Sequence, residues 1–155
     1  MLKLHFNFLE QNLIIRTFFF FLIIFLFTSC SIITKFSTSS YSVIINSKSR
    51  INNVEKSELR KLYLRKNKYL NRKKIIPVNL LADNSARIAF ESNILNMDRA
   101  SLNAYWIKQH KKGINPPVSQ ESYNAMLNFV INVNGAIGYI PSNMVDNRVK
   151  VIHEF

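Results

Sequence analysis

The 155-residue chain holds one cysteine, three glycines, four prolines and nine acidic residues, and each shortage excludes something. A lone cysteine, Cys30, permits no internal disulfide, so a stapled secreted mini-fold is closed to the chain. Scarce glycine and proline argue against an all-β, turn-dense fold. The three histidines, His5, His110 and His153, stand apart from one another, and no metal-ligand cluster emerges. No nucleophile elbow, P-loop or dinucleotide fingerprint is present. Asp98 and Glu121 read as helix-start charges that suit the helix dipole. Nothing here points to an enzyme or to a bound cofactor.

What the chain does have is apolar content and positive charge. Hydrophobic residues make up 48% and charged residues only 19%, which suits a folded core rather than a disordered chain. Twenty-one Lys and Arg against nine Asp and Glu give a formal charge of +12. Such a balance raises nucleic acid or an anionic membrane surface as partners. No aromatic-interleaved basic motif appears, and abundant Lys, Asn, Ile and Phe are what an AT-rich coding bias produces. Nucleic acid is therefore not the expected partner.

The first thirty residues carry an export signal. Lys3 and Arg16 precede an apolar run of eleven residues, Thr17 to Phe27. A spanning helix needs about 17–25 apolar residues and a signal-peptide core about 7–15, so the run fits a leader. Extending it back through Leu13, Ile14 and Ile15 would bury Arg16 in the bilayer, which is costly. Phe27-Thr28-Ser29-Cys30 then resembles a bacterial lipoprotein cleavage box, with Phe27 departing from the usual Leu, Val or Ile. Two outcomes stay open: acylation of Cys30, or ordinary cleavage near Ser29 with a free thiol. The expected organisation is a leader over 1–29, a tether over 30–41 and one domain over 42–155.

Within that domain, periodicity predicts alternating helices and strands. Ser42 to Asn46 reads as a buried strand, and Val54, Leu59, Leu62 and Tyr63 mark an amphipathic helix. A basic loop follows around Tyr69, from Arg65 to Lys74. Ile75 to Leu80 reads as a strand that Pro77 pushes towards an edge or a strand end. Asp83-Asn84-Ser85 is placed to cap a helix over 86–95, and Asp98 to cap one carrying Leu102, Tyr105, Trp106 and Gln109 on one face. Gly113 stops that helix, and Pro116-Pro117 cannot continue it. Tyr105 and Trp106 read as core rather than as a stacking platform. Ser119 is placed to cap a helix carrying Tyr123, Met126, Leu127 and Val130. Gly135 ends it, and strands follow at 136–140 and around Val149 and Val151. This alternation means α/β, with a central sheet containing 43–46, 75–80 and 136–140.

Four segments carry a resemblance to a known family. They are Ser57-Glu58-Leu59-Arg60-Lys61-Leu62-Tyr63-Leu64, Pro77-Val78-Asn79-Leu80, Tyr105-Trp106 and Gly135-Ala136-Ile137-Gly138-Tyr139. In this order and spacing, from about Ser42 to Ile152, the chain resembles the periplasmic phosphate-binding protein of phosphate ABC transporters, especially its short stand-alone relatives. The resemblance implies one lobe of the type II periplasmic binding-protein fold. It also implies phosphate or a similar oxyanion as ligand and a membrane transporter or envelope protein as partner. The lipoprotein-like box, with Ser31 rather than Asp behind Cys30, implies a periplasmic, membrane-anchored location, in the outer membrane where one exists.

The family's anion turn is Arg-x-Asp-Gly-Ser-Gly-Thr at a helix start, where exposed N–H groups, the dipole and a hydroxyl converge on an oxyanion. The matching stretch is Leu81-Ala82-Asp83-Asn84-Ser85-Ala86-Arg87. Asp83 and Ser85 match; Leu81 replaces the arginine, Ala86 a glycine, and Arg87 the threonine. The resemblance thus implies an anion site at Asp83, Asn84, Ser85, Ala86 and Arg87, with Arg87 restoring the lost charge. The competing reading makes Ser85 a helix cap and Arg87 a solvated or salt-bridged surface residue. The lobe is then a protein-interaction module that binds no anion.

Overall fold

A computed structural model describes residues 40–155. The expected leader over 1–29, Cys30 and residues 31–39 of the expected tether lie outside the described residues. Thr38–Phe155 forms a compact unit with a hydrophobic core of its own. Among the described residues no helix is long and apolar enough to cross a membrane.

The elements run β1 (Tyr41–Asn46), α1 (Lys56–Tyr63), β2 (Tyr69–Leu70), β3 (Lys73–Lys74), β4 (Ile76–Leu80), α2 (Ser85–Phe90), α3 (Arg99–His110), β5 (Val118–Gln120), α4 (Tyr123–Asn132), β6 (Ala136–Pro141) and β7 (Val149–Glu154). A π-helical turn, Glu91–Leu95, continues α2, and a 3-10 turn, Ser142–Met144, follows β6. Five strands form the central sheet in the order β5-β4-β6-β1-β7. Both pairings of β4 are parallel, and both pairings of β1 are antiparallel. The fold is the expected α/β sheet flanked by helices, and β1 begins at Tyr41.

Side-chain alternation sorts the layers. Gly138 of β6 lies against Met126 and Val130 of α4, so that helix covers one face. A side chain at Gly138 would collide with Met126, which is why the strand approaches the helix this closely. Tyr139 points the other way, stacked on Phe90 of α2 at 4.3 Å between ring centroids and tilted against Tyr63 of α1. Such contacts stabilise beyond the area they bury. The β1 and β6 side chains are almost all buried, as strands covered on both faces require.

Several local expectations are corrected. Strand β4 is interior, so of the two places expected for Pro77, an edge or a strand end, the second holds: it is the second residue of the strand. Pro77 is tolerated because Ile76 donates its N–H to Gly135 of the β6 side, so position 77 faces β5, whose pairing starts only at Val78. The basic loop contains a small hairpin, β2–β3. The α4 cap is Ser122, accepting from the Ala125 N–H at 3.1 Å, while Ser119 sits in β5. Asp98 caps α3 as expected, accepting from the Ser101 N–H at 2.7 Å. Gly113 and Gly135 both hold left-handed backbone at their helix ends (φ +72° and +81°), which glycine adopts without strain.

Candidate functional site

The Leu81–Arg87 turn leaves the carboxyl end of β4, between its two parallel neighbours, and opens α2. In open α/β sheets ligands bind outside the carboxyl ends of the strands. The cap of α2 is Asn84: its Oδ1 accepts from the Ala86 N–H at 2.9 Å and from the Tyr123 hydroxyl at 3.2 Å. Ser85 is the first helical residue, exposed, with Tyr41 donating to its Oγ at 3.3 Å. Among the described residues the N–H groups of Ser85 and Arg87 have no protein partner, as befits a first helical turn. Asp83 is exposed, and Ala86 is buried with its N–H committed to Asn84. The five expected site residues thus share one turn, yet their side chains do not converge.

Arg87 is salt-bridged, as the competing reading allowed, but it is not a surface residue. Its side chain neither lies over the helix end nor enters solvent; it turns inward and is buried. The guanidinium donates through Nε to Glu91, one helical turn on, and through Nη1 to the Leu80 carbonyl at 3.1 Å. Glu91 is itself buried and takes a second arginine, Arg99, at 3.1 Å. Arg99 in turn donates to the Ala82 carbonyl at 2.5 Å. One carboxylate therefore holds two guanidinium groups, and each binds a carbonyl at the entrance to the turn. The physical reason is local: a buried charge needs a partner, and Glu91 stands at i+4 from Arg87.

Behind this clamp lies a layer of phenols. Tyr63 donates to the carbonyls of Val78 and Ile137 at 3.2 Å each. Tyr139 donates to Asn79 Oδ1 at 3.3 Å and accepts from the Leu80 N–H at 3.3 Å. Burial pushes the Tyr63 phenol well above its ordinary value and the Tyr139 phenol up to about 12, so both stay neutral donors. Every buried side-chain polar atom among the described residues finds a partner. The outer part of the turn is open, and its underside is fixed. Glu91, Arg99, Tyr41 and Tyr123 escaped the sequence reading; only Glu91 had a legible signal, its helical spacing from Arg87.

No protein-family model matches the chain, and no curated protein matches it. Solved structures do share its fold. One is a protein of Clostridium perfringens described as a phosphate ABC transporter substrate-binding protein and solved with bound phosphate. It has TM-score 0.58 and 19% identity, covering 73% of this chain and 44% of that one. Another is an ABC-type phosphate transport receptor of Vibrio cholerae, with TM-score 0.59 and 21% identity, covering 73% and 45%. The chain therefore has the fold of these binding proteins, and it spans less than half the length of either.

Proposed function

We propose that the chain is an exported, lipid-anchored module of the solute-binding type that takes phosphate or a similar oxyanion on the Asp83–Arg87 turn, in the service of ABC-type phosphate uptake or sensing. One observation carries this reading: the turn stands at the carboxyl end of a strand flanked by two parallel partners, with the N–H groups of Ser85 and Arg87 uncommitted. The fold shared with phosphate-binding proteins supports the choice of anion. Both Asn84 contacts are accepted by Oδ1, so its amide N–H groups, like the Ser85 hydroxyl, remain available as donors. Arg87 acts through its backbone N–H and through the shape its guanidinium imposes on the strand end, not by grasping the anion.

Asp83 adds a selectivity argument. A carboxylate accepts hydrogen bonds and cannot donate them, so beside it an oxyanion that brings its own proton is better tolerated than sulfate. With one lobe the ligand stays wet, and affinity falls as salt rises. Calorimetry of the Thr38–Phe155 unit at low ionic strength tests this: phosphate heat exceeding sulfate heat is expected, and Ser85→Ala lowers it.

A second reading has its own support. The Arg87 guanidinium is committed to Glu91 and the Leu80 carbonyl rather than to the outer turn, and the apolar side chains of Leu81 and Ile88 are exposed beside the turn (44% and 54%). These features suit a protein-interaction module in the envelope. Absence of heat with either anion selects it.

A further inference from the structure

The largest concentration of unused charge lies away from the turn. Between Glu58 and Asp83 the chain carries eight Lys and Arg and no acid. Lys66, Lys68, Arg72, Lys73 and Lys74 are all exposed on or beside the β2–β3 hairpin. Beside the hairpin a cleft of about 490 Å³ is lined by Lys48, Lys73 and Lys74, with Asn46, Asn132 and Asn134 among the rest and no acidic residue. None of the ion pairs among the described residues involves any of these cations.

The hairpin is a built platform. Asn67 Oδ1 accepts from the N–H groups of Lys68 and Tyr69, its amide donates to the Tyr69 carbonyl, and Ile75 donates to the Lys68 carbonyl at 2.8 Å. Leu70 is buried and pins the hairpin to the core, while its neighbour Tyr69 is 54% exposed. The two turn residues, Asn71 and Arg72, both hold positive φ (46° and 63°). A two-residue hairpin of this kind favours Asn followed by Gly. Asn71 obeys; Arg72 stands where glycine is unstrained, so a cation is kept at a conformational cost.

We propose that this face, the β2–β3 hairpin with Lys48 beside it, docks on an anionic phospholipid bilayer surface. A dense, acid-free set of cations complements anionic headgroups, and an exposed tyrosine among them suits the headgroup layer. The length of chain ahead of the domain favours a bilayer over other polyanions: ten residues separate Cys30 from Tyr41, a reach of about 35 Å at most from an acylated Cys30. This rests on the export and Cys30 acylation readings of the proposed function, and the anion turn takes no part in it.

The test uses the Thr38–Phe155 unit and sedimentation with two kinds of vesicle, phosphatidylcholine alone or with one third phosphatidylglycerol. The unit is expected to sediment with the anionic vesicles at low salt, to stay in solution with the neutral ones, and to be released as salt rises. Arg72→Gly with Lys73→Gln and Lys74→Gln should weaken partitioning about a hundredfold, roughly fivefold for each charge near the surface. The matched triple Lys108→Gln, Lys111→Gln, Lys112→Gln removes the same charge at the end of α3 and should change it several-fold at most. Arg72→Gly alone should melt no lower than the parent, which separates lost binding from lost folding. Equal effects of the two triples, equal binding to both vesicle types, or no binding to either overturns the proposal.

Discussion

The two arginines beneath the β4–α2 turn and the six cations of the 65–74 segment carry the same charge in opposite surroundings. Arg87 is buried, shares Glu91 with Arg99, and spends its donors on the strand end. Arg72 and the lysines around it are exposed and meet no acid. The difference teaches where each charge acts. A buried guanidinium stabilises a backbone shape, and donors already committed to a carboxylate and a carbonyl are not free for a ligand. An exposed, unpaired one contributes little to folding and remains free for a partner.

Breaking the buried side of this comparison should have the largest effect. Arg87→Ala leaves Glu91 buried with Arg99 alone and should cost about 3–5 kcal/mol in urea unfolding. The double change Arg87→Met, Glu91→Leu should restore most of that, since a well-packed apolar pair replaces a buried ion pair at little cost. A single-variant loss below about 1 kcal/mol would show that the clamp is not structural. One step down, Asn84→Ala removes the α2 cap and should cost about 1 kcal/mol, whereas Ser85→Ala should stay within about 0.5 kcal/mol. Equal losses at the two positions would reassign the cap.

The exposed side should yield smaller changes. Arg72→Gly relieves left-handed backbone but adds chain entropy to the unfolded state, so stability should rise by zero to about 1 kcal/mol. A clear loss would mean that the Arg72 side chain packs in a way its exposure denies. The smallest effect is pH-dependent. Asp98 accepts the Ser101 hydroxyl and N–H, which holds its carboxyl below the ordinary value. A depressed carboxyl stabilises the fold above its unfolded pKa of about 3.9, and the contribution disappears as pH falls through the folded value. The protection of the Ser101 amide, its exchange rate compared with an unstructured amide at the same pH, should therefore fall below about pH 4, and in Asp98→Ala that fall should be absent.

The same contrast explains what could be read from the sequence. Elements with a continuous apolar period were legible: α4 from Met126, Leu127 and Val130, and β6 from its buried run after Gly135. Asp98 was legible as a cap because it precedes a long helix directly. Strand β5 was not, since three residues with an exposed Val118 carry no period and pair only because β4 lies alongside. Pro77 left an edge and a strand end both open, because the side of its missing N–H depends on where β5 begins. The turn residues were found as a set, but the direction of Arg87 was set by Glu91, a residue that reads alone as an ordinary helix-surface acid. Tyr41 and Tyr123 reach the turn from distant positions, and only the folded sheet brings them there.

The central claim is that an oxyanion is held by the outer part of the Asp83–Arg87 turn while the Arg87 guanidinium holds the turn from within. Phosphate titration of the Thr38–Phe155 unit by calorimetry, at low ionic strength and beside the Ser85→Ala variant, tests it most directly. The account predicts binding that weakens with added salt, exceeds that of sulfate, and drops on loss of the Ser85 hydroxyl while the melting temperature stays within a few degrees. A parent protein that gives no heat with phosphate contradicts it.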